Sequence, residues 1–152
     1  MNRFLSSQGV MPTVKVGDKK TLLAAMASQA AKLTGVHEQL VLDAVVQREK
    51  LGSTGMGKGI AIPHARIKDC PRVVAIFAQL NQPIDFDAVD GQPVDLVCML
   101  LSPEGAGSDH LQALAAISRV LRDSATCDRL RGATSADALL ALLTQPKFAA
   151  AA

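Results

Sequence analysis

Three histidines, one arginine and a glycine-rich stretch are the parts of this chain whose types and spacing could do chemistry. The stretch is Gly52-Ser53-Thr54-Gly55-Met56-Gly57-Lys58-Gly59, and it runs into Ile60-Ala61-Ile62-Pro63-His64. Four glycines in eight residues permit positive φ and let backbone N–H groups come close to an anion. Gly52 to Lys58 fit the first seven positions of a Walker A loop, but the eighth, which must be Ser or Thr to hold magnesium, is Gly59. A P-loop also follows a strand and opens a helix. Here a helical pattern precedes the loop and Pro63 closes it, so nucleotide binding is rejected. A flexible connection and an anion cradle both remain open.

His64 stands immediately after Ile62-Pro63. Proline fixes its own φ and biases the residue before it toward extended backbone, so the approach of the imidazole is defined. A lone histidine can be purely structural. A neutral imidazole is also a competent phosphoryl acceptor near pH 7, because one ring nitrogen carries a free lone pair.

His110 follows Ser108-Asp109, and Ser108 is expected to N-cap a helix there. His110, Leu114, Ile117 and Leu121 share one helical face, so the imidazole is expected to point inward. It lies just past the 94–101 apolar run, where α/β proteins place ligands; a core-edge histidine bonded to backbone is the alternative. Arg48 emerges beside the apolar stripe made by Val41 and Ala44, just ahead of the glycine loop. Its fork suits phosphate oxygens, although its stem could simply cover apolar surface. His37, in Val36-His37-Glu38, is read as surface. The histidines are isolated from one another and from any cysteine pair, so no metal site is expected. No G-x-S-x-G elbow occurs either.

The elements that must position these residues follow from patterning. A short strand is expected at Thr13–Val16. Asp18 should then cap a helix with Leu22, Met26, Ala30 and Leu33 on one face, ended by Gly35. A second helix is predicted from about His37 to Lys50. The runs 73–80 and 94–101 are nearly continuous apolar segments, as expected of strands covered on both faces. Helices are predicted at about 108–122, 124–131 and 135–144, with the alanines at 149–152 as a frayed tail. Helices at both ends and strands between them predict an α/β fold, a mixed β-sheet sandwiched by helices.

At 152 residues, 49% hydrophobic and 20% charged, the chain is expected to form one domain spanning 1–152. It is too apolar to be disordered. Aromatics are only 3%, with no Trp or Tyr, which excludes a base-stacking platform, and a net charge of +2 is too small for a polyanion binder. No nucleic-acid partner is therefore expected. No apolar stretch is long enough for a signal peptide or a membrane span, so a cytoplasmic location without membrane insertion is expected. Cys70, Cys98 and Cys127 are odd in number, match no zinc or redox spacing, and are read as reduced thiols.

Gln47-Arg48-Glu49 with the stretch from Gly52 to His64 resembles the enzyme IIA component of the fructose/mannitol class of the bacterial sugar phosphotransferase system. Pro83-Ile84-Asp85-Phe86, Pro93 to Val97 and Pro103 to His110-Leu111 match the same family in order and spacing. The resemblance covers about residues 5 to 145 and is strongest to the nitrogen-regulatory branch of that class. It implies that His64 is the phosphorylated residue, on its tele nitrogen, and that Arg48, His110, Ser53 and Thr54 line the phosphate pocket. It implies an HPr-like phosphocarrier as donor, regulatory target proteins as partners, and no cofactor or metal. A transport enzyme IIA that passes phosphate to a fructose/mannitol-type permease is the alternative. A binding module with a structural His64 is a second.

Overall fold

The computed structural model describes residues 1–149. Its helices and strands are β1 (Val10–Val14), α1 (Lys19–Thr34), α2 (Glu38–Lys50), β2 (Gly55–Gly57), β3 (Ile60–Ala61), β4 (His64–Ile67), β5 (Val74–Ile84), β6 (Val94–Pro103), α3 (Ser108–Leu121), α4 (Ser124–Gly132), α5 (Ala136–Leu143) and α6 (Pro146–Ala149). The strands form one mixed sheet in the order β1-β5-β6-β3-β2, with β4 also paired to β6. β5 and β6 are antiparallel, while β1 runs parallel to β5, and β3 and β4 run parallel to β6.

β5 and β6 are the two long apolar runs, and their residues alternate between two cores. Val74, Ile76, Ala78, Val97, Met99 and Leu101 pack with Leu22, Met26, Ala30, Val41 and Val45 from α1 and α2. Ala75, Phe77, Leu96, Cys98 and Leu100 pack with Ile117, Leu121, Leu130, Leu139 and Leu143 from α3, α4 and α5. Continuous apolar sequence is what covering both faces requires. The expected sandwiched mixed sheet is therefore the observed one. Cys70, Cys98 and Cys127 are buried free thiols.

Local chemistry sets the helix ends. Asp18 caps α1 by accepting from the Thr21 amide at 2.7 Å, and Gly35 ends the helix at φ 78°. His37 turns out to be the cap of α2: its Nδ1 accepts from the Gln39 amide at 3.1 Å while the residue stays exposed. Ser108 does not cap α3. That role falls to Gly107, whose φ of 58° and ψ of −127° make the sharp entry, and Ser108 begins the helix itself.

β1 begins three residues before the Thr13–Val16 reading and ends two residues before that reading does. Val10 and Met11 pair with Phe77 and Ala78, and the register then shifts before Val14 meets Leu80. Thr13 sits at φ 50° in that shift, and its amide is satisfied by Gln79 Oε1 at 3.1 Å. Gln79 is 6% exposed, and its Nε2 donates to the carbonyls of Leu130 and Ala133, tying β5 to the end of α4. At the C-terminus, α6 occupies part of the stretch read as tail, and 150–152 lie outside the described residues.

Candidate functional site

His64 opens β4, aligned with Leu100 of β6, and the Leu100 amide donates to the Pro63 carbonyl at 2.9 Å. The fixed backbone of Ile62-Pro63 lets the imidazole fold back, and Nδ1 lies 2.9 Å from the Ile62 carbonyl oxygen. A carbonyl only accepts, so Nδ1 carries the proton and Nε2 carries the lone pair. Arg48, in the last turn of α2, donates from Nε to that Nε2 at 3.3 Å and from Nη1 to the Gly52 carbonyl at 2.9 Å. The half-buried imidazole therefore presents its nucleophilic nitrogen beside a guanidinium.

His110 enters from the other side of the sheet end. It lies in the first turn of α3, is 4% exposed, and its Nδ1 is 2.7 Å from Oγ of the fully buried Ser102 on β6. The two imidazole centroids are 5.6 Å apart, with ring planes 57° to each other. Burial, then the nearby Arg66 charge and His64, push the His110 pKa down to about 4, so the ring is neutral at physiological pH. A neutral His110 can donate or accept one hydrogen bond without adding charge.

The glycine loop is held by contacts that only small residues allow. A Cβ on Gly55 would lie 2.8 Å from the Ala88 backbone. Gly59 sits at φ 83°, and a Cβ there would meet Arg131 Nη2 at 2.6 Å and Asp95 Oδ1 at 2.9 Å. Asp90 accepts from the Lys58 amide at 3.0 Å, and Arg131 donates to the Lys58 carbonyl at 2.9 Å. The loop leads into β2 and β3 rather than a helix, which is why it is no P-loop.

The structure thus brings Arg48, His64 and His110 together. The hydroxyls of Ser53 and Thr54 are placed otherwise. Ser53 Oγ donates to the Phe86 carbonyl at 2.7 Å and accepts from the Gly55 amide at 3.0 Å. Thr54 directs both its hydroxyl and its amide at Glu49. Both side chains build the loop instead of offering a donor toward His64.

Sequence reasoning missed three residues. Arg66 lies two residues along β4 from His64, exposed on the same face, and its Nη2 donates to the Gly107 carbonyl at 3.3 Å. The period-2 alternation of His64-Ala65-Arg66-Ile67 was its signal. Ser102, the polar end of an apolar run, and the buried Glu49 had no pattern to mark them. Leu51 and Leu111, the chain neighbours of the Gly52 loop and of His110, are 84% and 62% exposed, leaving apolar surface beside the site. Among the described residues, no helix is long and apolar enough to cross a membrane, and no group of three His, Cys, Asp or Glu is arranged to hold a metal ion.

The family profile described as "Phosphoenolpyruvate-dependent sugar phosphotransferase system, EIIA 2" matches residues 3–145. The chain belongs to this family. The EIIA 2 chain is 46% identical over 148 residues to a nitrogen regulatory protein of Bradyrhizobium diazoefficiens, covering 97% of each. It superposes on the crystal structure of nitrogen regulatory protein IIA-Ntr from Neisseria meningitidis with a TM-score of 0.89 at 32% identity, covering 93% of this chain and 97% of that one. IIA mannitol from Escherichia coli shares the fold, with a TM-score of 0.79 at 24% identity over 91% of this chain and 98% of that one. EIIA 2 membership makes the chain a component of a phosphotransferase system, and its mixed sheet is the family's architecture.

Proposed function

We propose that the protein is a phosphoryl-accepting regulatory enzyme IIA of the nitrogen-related phosphotransferase system, phosphorylated on Nε2 of His64 by an HPr-like phosphocarrier. The observation that carries this reading is the pair of contacts on one imidazole: Nδ1 on the Ile62 carbonyl, Nε2 facing Arg48. The Nε2 lone pair attacks the donor's phosphorus in line, the N–P bond forms, and the donor's N–P bond breaks with its electron pair returning to the departing imidazole. The donor ring, protonated on its second nitrogen, departs as neutral imidazole, and the His64 Nδ1 proton, retained during transfer, passes to water afterwards to leave a neutral ring bearing the phosphoryl dianion. Arg48 balances charge on the transferring oxygens, which is positioning and electrostatics in the main. His110, neutral and held by Ser102, hydrogen-bonds an oxygen of the group.

The product adds close to two negative charges at a half-buried position, and the exposed Leu51 and Leu111 stand next in sequence to Gly52 and His110. Regulatory target proteins docking there would meet either a neutral imidazole or a dianion, and could discriminate between them. The 46% identity to a protein named for nitrogen regulation supports the regulatory branch over sugar transport.

Intact mass after incubation with a phosphorylated HPr-type carrier tests the proposal. Wild type should gain one acid-labile, base-stable phosphoryl group, and His64→Ala should gain none while its circular dichroism stays native. Phosphate mapped to His37, His110 or Ser53 would overturn it.

A further inference from the structure

Glu49 follows Arg48 at the end of α2 and is only 9% exposed, an unusual burial for a glutamate. Its Oε1 accepts from the Thr54 amide at 3.2 Å, and its Oε2 accepts from the Thr54 hydroxyl. Lys19 lies 2.9 Å from the same carboxylate and 4.4 Å above the Phe86 ring, and also reaches the Phe86 carbonyl that Ser53 Oγ uses. Three donors on two carboxylate oxygens are a demand that glutamine, with one acceptor oxygen, could not meet.

The contacts continue inward. The Thr54 carbonyl accepts from the Ile62 amide at 3.2 Å, and the Ile62 carbonyl receives His64 Nδ1 at 2.9 Å. A single path therefore runs from Lys19 and Glu49 through Thr54 and Ile62 to the imidazole proton. Arg48 grips the same loop at Gly52, so consecutive residues of α2 hold its first turn at two points.

We propose that Glu49 is a positioning residue for phosphoryl transfer: through Thr54 and Ile62 it holds the His64 tautomer whose free nitrogen is Nε2. The role rests on His64 being the acceptor, although the tautomer itself can be measured without any donor. Lys19 neutralises the carboxylate, which would otherwise place an uncompensated negative charge near the incoming phosphoryl group. Thr54 acts through the path and does not touch phosphate.

The test combines ¹⁵N NMR of the His64 ring with single-turnover transfer from a phosphorylated HPr-type carrier, on wild type, Glu49→Gln, Thr54→Val and Thr54→Ser. Glu49→Gln and Thr54→Val should populate the Nε2–H tautomer and slow transfer by about tenfold, with the carrier concentration at half-maximal rate within about twofold of wild type. Thr54→Ser, which keeps both donors, should match wild type in both measurements. Leu143→Ala, on the opposite face, controls for lost stability and should leave tautomer and rate unchanged. Wild-type tautomer and rate in both Glu49→Gln and Thr54→Val would overturn the proposal, as would equal slowing by Leu143→Ala. If Glu49→Gln fails to fold, the Thr54→Val and Thr54→Ser pair decides alone. A wild-type protein that accepts no phosphate would refute the acceptor reading instead, and the tautomer measurement would still test the path.

Discussion

Protonation of His110 should be visible as a loss of fold stability in a defined pH window. In the unfolded chain its imidazole titrates near 6.5, whereas in the folded protein burial and the Arg66 charge hold it at about 4. Between these values the unfolded state binds more protons than the native state, so stability falls as pH drops from about 6.5 to about 4 and is fully present above 6.5. The full shift corresponds to roughly 3 kcal/mol; water at the open side of the site screens part of it, leaving about 1–2 kcal/mol. His110→Asn keeps a polar atom near Ser102 Oγ and removes the titration. Urea unfolding at about pH 7.5, 5.5 and 4.5 should give a wild-type curve steeper than that of the variant by this amount. The carboxylates of Asp18, Asp90 and Asp123, held below their usual range by backbone or Thr hydrogen bonds, titrate in both proteins and cancel in the comparison. Parallel curves for the two proteins would refute the burial argument.

Arg48→Lys keeps the charge but loses the fork that spans His64 Nε2 and the Gly52 carbonyl, so carrier-dependent phosphorylation should fall clearly; Arg48→Met should be slower still with nearly unchanged Tm. Normal transfer by the Met variant would leave only the stem to matter. Gly59→Ala should lower stability by about 1–3 kcal/mol in urea titrations, because positive φ and the approach of Arg131 both oppose a Cβ. Gln79→Leu removes the partners of two carbonyls and of the Thr13 amide, and should cost about 2–3 kcal/mol, measured as a Tm drop of several degrees without loss of phosphorylation.

Long apolar runs and helix stripes were legible because a sheet covered on both faces writes itself into sequence as unbroken hydrophobicity; Val74–Leu80 and Val94–Leu101 did so. The short strands at 55–57 and 60–61 did not, since two or three residues bounded by glycine and proline carry no periodicity, and the four alternating residues of 64–67 are too few to mark a strand by themselves. His64, Arg48 and His110 stood out by chemical type and context. The placement of Ser53 and Thr54 was invisible, because hydroxyls beside a glycine loop look the same whether they face a ligand or a carboxylate. Glu49 was hidden for a related reason: a glutamate in a helix is ordinarily solvated, and only the third dimension supplies Lys19 and Thr54. Gly107 displaced Ser108 as cap because the tight entry into α3 needs a backbone that serine does not adopt.

The irregular course of β1 bears on how the molecule behaves at high concentration. A mixed sheet has open borders, and a straight border strand offers a row of free amides and carbonyls onto which another chain can grow. Here one border is β1, where Pro12 has no amide to give and Thr13 bends the backbone at φ 50° and spends its amide on Gln79. At the far border β2 is three residues long, two of them glycine, and β4, paired only to β6, runs for just four residues. Neither margin can serve as a template for sheet-by-sheet growth, so self-association by strand addition is discouraged at both ends. The docking proposed around His64 then relies on side chains alone.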